Sequence, residues 1–210
     1  MNKVAIVSIA WGNKYKHFVP IWWDYIQSLK IKPDEIIIAY HPDDDTGVND
    51  LDVKLVKCYE RSYSKMLNAA IEQANSDWII QCPLDDMLLP NALDFINFVE
   101  DDIEVILTCR RTTNGDVHIG DWSSLAKNME DHRVCHTSPI KKSLWTRLNG
   151  FPDYTLADWA FFLLAYKNSA NVKHWGEITT LSYVDNNSLG AFEEDKSWNE
   201  IKFLRKELEI

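Results

Sequence analysis

The sequence lacks the patterns that mark several common kinds of site. Its four cysteines are widely spaced and form no CxxC pair, which excludes the usual spacing of zinc ligands and gives no disulfide framework. Its 7 glycines form neither a P-loop nor the glycine-rich fingerprint of a dinucleotide-binding site. The cysteine pattern favours a reducing compartment, and a functional site must be built from other residue types.

The sequence is also short of positive charge. It has 22 lysine and arginine residues against 32 aspartate and glutamate residues, which gives a net charge of -10. A surface of this sign does not attract nucleic acid or an anionic membrane by charge, so we predict no nucleic-acid partner. A negatively charged small ligand remains compatible with this composition, because a bound metal ion supplies local positive charge.

No apolar run is long enough to cross a membrane. The first run, Val4 to Ala10, is far shorter than the roughly 20 residues that a transmembrane helix needs. It also lacks the basic flank and the small-residue cleavage site of a secretory leader. We therefore expect a soluble, cytoplasmic protein without a transmembrane segment.

What is present is the pattern of a folded α/β domain. Hydrophobic residues make up 46% of the 210 residues, enough for a sizeable core. Apolar runs rich in β-branched residues alternate with segments of helical periodicity, which predicts a mostly parallel central sheet flanked by helices. The predicted strands are 4–10, 35–40, 52–58, 77–81, 104–109 and 178–184, and the predicted helices are 20–30, 62–74, 91–100, 141–148, 159–168 and 196–210.

Two adjacent acids follow the fourth predicted strand. Asp85 and Asp86 lie in the loop after Gln81, and in open α/β sheets ligands bind beyond the carboxyl ends of the strands. Carboxylate oxygens are suitable ligands for a divalent cation that also binds a diphosphate. The pattern alone leaves a solvated turn, or a cap of the helix predicted after Pro90, open as alternatives.

Two longer blocks carry a family resemblance. They are Asn68 to Leu93, "NAAIEQANSDWIIQCPLDDMLLPNAL", and Ser138 to Lys167, "SPIKKSLWTRLNGFPDYTLADWAFFLLAYK". Both are similar to motif regions of the family-two-like glycosyltransferases, in that family's order, and "VSIAWGNKY" resembles its first strand and loop, with Asn13 in place of the loop Asn. The chain therefore resembles an enzyme of the GT-A fold, a Rossmann-like fold of nucleotide-diphospho-sugar transferases.

This resemblance implies a function and a division of the chain. The implied reaction is a hexosyltransferase-type transfer from a nucleotide-diphosphate sugar to a hydroxyl of a glycan or another acceptor, with inversion and with Mn or Mg as the divalent cation. The implied organisation is a single domain, 1–210. It has a nucleotide-sugar-binding half at 1–110, an acceptor-side half at 111–195 and a C-terminal helix at 196–210.

The resemblance also assigns roles to single acids. Asp85 matches the acid that ligates the metal on the donor diphosphate, and Asp86 matches a neighbour that is more often structural. Asp158 matches the carboxylate that acts as general base on the acceptor hydroxyl, a reasonable role because the alcohol loses its proton as it attacks; an N-cap of the following helix is the alternative. Asp185 lies near the place of a last metal ligand, and a plain turn is the alternative there.

Further side chains are predicted around the two substrates. The predicted donor-binding residues are Trp11, His41, Arg61, Lys65, Asn68 and Asp85, and the predicted acceptor-side residues are Trp122, His136 and Trp159. Indole rings stack well on the apolar faces of sugars. Core packing is the alternative for Trp159, and a solvated surface is the alternative for Arg61, Lys65 and His136.

Three positions depart from the family's pattern. Pro83 replaces the first acid of the metal motif, the second strand ends in "YHPD" where the family has two acids, and Ala157 replaces a glutamate before Asp158. These losses make a catalytically silent GT-A domain that binds a nucleotide or a glycan the alternative function. A nucleotidyltransferase fits less well, because the loop after the first strand is not basic and glycine-rich.

Overall fold

The computed structural model describes residues 2–127, 134–183 and 194–209. Within these ranges nine strands form one sheet. The strands are β1 (Val4–Ala10), β2 (Glu35–Tyr40), β3 (Lys54–Lys57), β4 (Trp78–Gln81), β5 (Asp86–Leu88), β6 (Val105–Thr112), β7 (Val117–His118), β8 (Ile140–Lys141) and β9 (Val172–Ser182). The helices are α1 (Val19–Ser28), α2 (Tyr63–Glu72), α3 (Ser124–Lys127), α4 (Lys142–Arg147), α5 (Ala157–Lys167) and α6 (Glu194–Leu208).

The strands lie in the order β3-β2-β1-β4-β8-β6-β9-β5, and β7 pairs with β6. β1 to β4 are parallel to one another, β6 and β9 are parallel, and the short β8 is antiparallel to both of its neighbours, β4 and β6. Six strands therefore share one direction, and β5, β7 and β8 run against them. The prediction of an α/β fold with a mostly parallel sheet is confirmed.

Helices cover both faces of the sheet, as predicted. Ala5 and Val7 of β1 belong to a core that includes side chains of α2 and α5, whereas Val4 and Ile6 belong to a core with α1 on the other face. A strand buried on both faces needs apolar residues at successive positions, which explains why β1 is apolar except for the small Ser8. The acids of the site lie beyond the ends of such strands.

The predicted helices at 20–30, 62–74, 141–148, 159–168 and 196–210 are confirmed, with ends that differ by a few residues. Local signals explain their starts. Pro20 lies in the first turn of α1, where its missing N–H costs nothing. The Ser62 hydroxyl accepts a hydrogen bond from the backbone N–H of Lys65 and caps α2.

The segment after Pro90 differs from its prediction. A 3-10 turn, Asp94–Asn97, forms where an α-helix was predicted at 91–100. A short helix gains little from its own hydrogen bonds, so tertiary contacts decide its conformation. Here the Pro90 carbonyl accepts a hydrogen bond from Lys30 N–H at 2.9 Å, and Phe95 is fully buried. The prediction of a helix at this place was wrong.

Neither β7 nor the two short strands β5 and β8 were predicted, and β9 is longer than predicted. β5 and β8 have three and two residues, too few for any periodic pattern. β9 begins at Val172, six residues before the predicted start at Ile178. Both short strands matter for the site, because β5 begins at Asp86 and β8 separates β4 from β6.

In the parts of the chain that the structure describes, no helix combines the length and the apolar character needed to cross a membrane. The cytoplasmic location remains a prediction. The division into a donor half and an acceptor half also remains a prediction, and the one sheet draws strands from both halves.

Candidate active site

A cavity of about 420 Å³ opens where β1 and β4 end. The apolar part of its wall includes Ile9 and Trp11, at the end of β1. Its polar wall includes Tyr63, Asp85, Asp86, Arg110, His136 and Asp158. Three carboxylates from two distant stretches of sequence therefore meet at the edge of the sheet where ligands collect in folds of this class.

The turn that carries the two adjacent acids is held by backbone hydrogen bonds. Asp86 N–H donates to the carbonyl of Pro83 at 3.0 Å, which closes the turn. β5 starts at Asp86 and pairs with β9, and Tyr183 N–H donates to the carbonyl of Asp85 at 3.2 Å. The backbone of both acids is thus fixed by a neighbouring strand, while the side chain of Asp85 faces the cavity.

Asp86 forms a buried ion pair with His136. Nε2 of His136 lies 2.5 Å from Oδ2 of Asp86, and the two side chains are 15% and 8% exposed. Burial alone would lower the pKa of His136, but the charge and hydrogen bond of Asp86 outweigh burial and raise that pKa to about 9. Burial would likewise raise the pKa of Asp86, but the charge and hydrogen bond of His136 lower it. The protonated imidazole therefore donates to a carboxylate, and Asp86 is already satisfied.

The pKa of Asp85 is shifted in the opposite direction from that of Asp86. Burial, and then the charge of Asp86, raise its pKa to about 6. No side chain in the described part of the chain donates a hydrogen bond to its carboxylate. A desolvated carboxylate that faces a cavity suits a hard divalent cation.

The described residues do not complete a metal site by themselves. Among them, no three His, Cys, Asp or Glu side chains are grouped so as to hold a metal ion. This fits a cation of the Mg²⁺ type, which is often held by one or two carboxylates together with substrate phosphates and water. Asp85 could supply one ligand to such a cation.

Asp158 reaches the same cavity from α5. The helix begins at Ala157, so Asp158 lies inside its first turn and not at the N-cap. An acid in the first turn interacts favourably with the helix dipole, so the residue is compatible with the helix without capping it. Burial, followed by the charges of Asp158, Asp86 and Asp85, raises the pKa of Tyr63. Tyr63 therefore stays protonated among the carboxylates.

His41 and Arg61 form a second cluster, around Asp44. Nη2 of Arg61 donates to Oδ1 of Asp44 at 2.6 Å and lies 3.4 Å from Nδ1 of His41. Gly12 N–H donates to Oδ2 of Asp44 at 2.7 Å, which ties the loop after β1 to the loop after β2. Neither His41 nor Arg61 is part of the cavity wall. Their donor contacts remain predictions.

Lys65 and Asn68, also predicted to bind the donor, lie outside the cavity wall. Lys65 forms an exposed ion pair with Glu60. The amide of Asn68 is engaged by the protein: Nδ2 donates to the Phe151 carbonyl at 2.8 Å. Oδ1 accepts from Phe151 N–H at 2.8 Å and from Trp145 Nε1 at 3.0 Å. Asn68 thus clamps the turn that precedes α5.

The predicted tryptophans lie in three different places. Trp11 is in the cavity wall. Trp122 packs edge to face on Phe162, with ring centroids 6.1 Å apart. Trp159 is 5% exposed and belongs to the core, as its alternative interpretation had it. Asp185, the second predicted metal ligand, lies outside the described residues.

Several polar residues of this region were not predicted, among them Arg110, Tyr63 and Asp44. Arg110 continues the buried strand β6 with a charge, and Tyr63 opens α2 at the cavity. The helical periodicity of α2 puts Tyr63 in line with core residues, so its place in the cavity wall was not predicted. Asp44 is one of three consecutive acids, and nothing in the letters "DDD" singles it out.

The sequence and the structure were compared with known proteins. No protein-family model matches the sequence, and no curated protein matches it. Solved structures do match: S. aureus TarS 1–349 in complex with UDP-GlcNAc has a TM-score of 0.74 at 16% identity, over 98% of this chain and 66% of that one. The mannosyltransferase PcManGT from Pyrobaculum calidifontis, in complex with GDP-Man and Mn2+, has a TM-score of 0.68 at 14% identity, over 91% and 60%. These neighbours are glycosyltransferases of the GT-A type.

The chain has a GT-A fold. Glucosyl-3-phosphoglycerate synthase from Mycobacterium tuberculosis, in complex with Mn2+, UDP and phosphoglyceric acid, agrees, with a TM-score of 0.67 at 10% identity over 99% of this chain and 78% of that one. Identities this low establish the GT-A fold alone. The chain spans between 38% and 66% of the lengths of the four TarS chains that it matches.

Proposed function

We propose that this GT-A chain is a glycosyltransferase of the hexosyltransferase type. It moves a sugar from a nucleotide-diphosphate sugar to an acceptor hydroxyl, with inversion and with the help of a divalent cation. The observation that carries the proposal is the cavity at the ends of β1 and β4, where Asp85 and Asp158 meet. One acid has the environment of a cation ligand, and the other is available to accept a proton.

The donor class is supported by the structural neighbours. TarS was crystallised with UDP-GlcNAc, and PcManGT with GDP-Man and Mn2+. In this chain the proposed donor lies with its diphosphate toward Asp85 and its sugar toward Trp11. The indole at the end of β1 offers an apolar face for the sugar ring.

Asp85 would hold the cation, Mn²⁺ or Mg²⁺, and Asp185 is the second predicted ligand. When bound, the cation supplies positive charge that stabilises the leaving diphosphate. Because the loop has Pro83 where the resembling family has an acid, Asp85 has no partner carboxylate at that position. Asp86 does not replace it, since its charge is matched by His136.

Asp158 acts as the general base. Its carboxylate takes the proton of the acceptor hydroxyl while that oxygen forms a bond to the anomeric carbon of the donor sugar. The bond between the anomeric carbon and the diphosphate oxygen breaks, and its electron pair leaves with the diphosphate. The neutral hydroxyl of Tyr63, in the same wall, is a hydrogen-bond donor for a sugar or acceptor oxygen.

A donor panel tests the proposal. The full chain is mixed with UDP-, GDP- and other nucleotide sugars and simple glycan acceptors, with Mn²⁺, with Mg²⁺ and with a chelator. Release of nucleoside diphosphate is then measured. We expect release with at least one donor, dependent on the metal. No release with any donor would reject the proposed enzyme.

The second candidate function is a catalytically silent GT-A domain that binds a nucleotide or a glycan. Two observations favour it: the proline at position 83, and the end of the second strand, which reads "YHPD" where the resembling family has two acids. Thermal shifts with the same panel separate the two functions. A shift that does not depend on metal, combined with no turnover, would support the silent domain.

A further inference from the structure

Arg110 is a charged cavity residue to which the proposed reaction gives no role. It lies on β6, in the part of the strand that pairs with β7 and β9, and its side chain is half-buried in the cavity wall. An arginine keeps its charge at all accessible pH values. A guanidinium in this position needs an anion or water to satisfy its five N–H groups.

The other charges of the wall do not satisfy it. His136, the second cation of the wall, is already paired with Asp86. Arg110 is close enough to Asp86 for its charge to help lower the pKa of that acid, but within the described residues it makes no hydrogen bond and no ion pair. Arg110 is therefore a cation in the cavity wall whose guanidinium donors are not used by any residue that the structure describes.

Arg110 does not come from a predicted donor loop. The donor loops follow β1, β2 and β4, whereas Arg110 lies on β6, beyond β8. Asp158, the proposed base for the acceptor, also reaches the cavity from outside these loops, on α5. This shared origin favours the acceptor over the donor as the source of an anion at Arg110, although the charge of Arg110 also reaches Asp86 in the loop after β4.

We propose that Arg110 binds an anionic group, a phosphate or a carboxylate, on the acceptor. The assignment of the anion to the acceptor rests on the proposed function. The anion site itself rests only on the position of Arg110 in the cavity wall. The guanidinium presents paired N–H groups that match either anion in a bidentate geometry. The site needs such a cation, because the carboxylates of Asp85 and Asp158 in the same wall repel an anionic substrate.

The chain supplies a matched control. Arg111 is the next residue on β6, carries the same charge, is exposed to solvent and is not part of the cavity wall. Arg110→Gln and Arg111→Gln therefore remove one positive charge each from neighbouring positions on the same strand. Arg110→Lys keeps the charge and removes the bidentate geometry. Circular dichroism and thermal unfolding verify that each variant folds.

Methyl phosphate and acetate are the probes, titrated into the metal-free chain of 210 residues and followed by NMR. We expect Arg110→Gln to weaken binding of one or both anions by at least about tenfold, the loss expected for a hydrogen-bonded ion pair. Arg110→Lys should lose less, and Arg111→Gln should bind like the wild type. The stronger of the two probes identifies the phosphate or the carboxylate as the preferred group. Equal binding by Arg110→Gln and the wild type would overturn the anion site.

UDP and a nucleotide sugar separate the acceptor from the donor. We expect Arg110→Gln to leave the affinity for UDP unchanged and, in a turnover assay with phosphorylated and unphosphorylated acceptors, to raise KM for the anionic acceptor. If Arg110→Gln lost UDP binding together with methyl phosphate binding, the assignment of the anion to the acceptor would be overturned. If the wild type binds no nucleotide sugar, the proposed function fails, while the methyl phosphate titration still decides the anion site.

Discussion

The cluster around Asp44 and the cavity around Asp85 are both acidic loops that follow parallel strands, but their charges are matched differently. Asp44 accepts hydrogen bonds from Arg61 and from Gly12 N–H, and these contacts lower its pKa. Asp85 has no side-chain donor among the described residues, and burial and the charge of Asp86 raise its pKa to about 6. The acid of the first loop holds two loops together, whereas the acid of the second loop faces the cavity.

This difference separates structural charges from functional ones. A matched acid contributes to folding, so its loss is expected to reduce stability. An unmatched buried acid works against folding and is typical of sites that bind or react. The same distinction applies inside the cavity, where Asp86 is matched by His136 while Asp85, Asp158 and Arg110 serve the proposed chemistry.

The largest effect is expected from Asp158→Asn, which keeps the shape of the side chain and removes the base. We expect kcat to fall by about 10²–10⁴, the usual contribution of general-base catalysis, while donor binding survives. Nucleoside-diphosphate release measures the rate, and thermal shift with the donor measures binding. Asp153→Asn is the control, because Asp153 bonds to Ser62 and Ser64 outside the cavity wall. An unchanged rate for Asp158→Asn would contradict the assignment of the base.

Asp86→Ala breaks a matched pair inside the cavity and should act on stability. Removing one partner of a buried ion pair costs about 3–5 kcal/mol, because the other charge stays buried without compensation. Urea unfolding measures the loss. The double variant Asp86→Ala/His136→Ala should recover part of it, since the unpaired cation is also gone. A double variant less stable than Asp86→Ala would show that His136 does not depend on this pair.

The ion pair of Asp86 and His136 also sets the pH range in which it contributes to stability. Because the pKa of His136 is raised to about 9, its contribution to stability is present in full below pH 6.5 and is lost as the pH rises through about 9. Because the pKa of Asp86 is lowered, its contribution is present above pH 3.8 and is lost as the pH falls through the folded value. NMR titration of His136 in the metal-free chain checks the first limit. A midpoint near 6.5 in the wild type would disprove the pairing.

Asp85→Asn removes the unmatched acid and should stabilise the metal-free chain. The raised pKa of Asp85 means that its ionised form, present above about pH 6, disfavours the fold, and this penalty disappears below the unfolded value near 3.8. We expect a gain on the order of 1 kcal/mol at neutral pH. In the same variant Mn²⁺ should no longer raise Tm as it does in the wild type. A variant that keeps the full Mn²⁺ effect would remove Asp85 from the metal site.

The smallest effect is expected from Asp44→Asn. Arg61, its main partner, is about half exposed, so solvent and salt screen the pair. We expect a decrease in Tm smaller than that of Asp86→Ala, and one that shrinks as NaCl is added. Thermal unfolding at low and high salt measures both. A salt-independent loss as large as that of Asp86→Ala would remove the distinction between the exposed and the buried pair.

The fold was predictable where the sequence carries a repeated pattern. β1 and β2 are apolar except for Ser8 and Glu35 because both of their faces are buried, and α2 is marked by the Ser62 cap and an apolar stripe. The helix prediction at 91–100 was wrong although the apolar periodicity of the segment is real. The burial of Phe95 and the hydrogen bond from Lys30 N–H to the Pro90 carbonyl decide the conformation instead. β5 and β8 are too short to leave a pattern at all.

Residues of the cavity wall could be named from the sequence mainly where a resemblance or a strand end marks them, and their roles remain predictions. Asp85, Asp158, Trp11 and His136 were all named from the sequence, and all lie in one cavity wall. Their partners were not predictable, because a pairing such as that of Asp86 with His136 joins residues 50 positions apart. The sequence marks Arg110 only as a charged residue toward the end of an apolar strand. Which charges are matched is a property of the folded chain and not of any local motif.

The Asn68 clamp also has a consequence for the order in which the molecule forms. Its bonds to Phe151 close a loop across 83 positions, and the adjacent Gly150 has φ 85° and no room for a Cβ, which would lie 2.8 Å from Oδ1 of Asn68. Closing a long loop costs chain entropy before its contacts form. We therefore expect Asp158 to arrive at the cavity late in folding, and on the ribosome only after the turn at Gly150 has emerged.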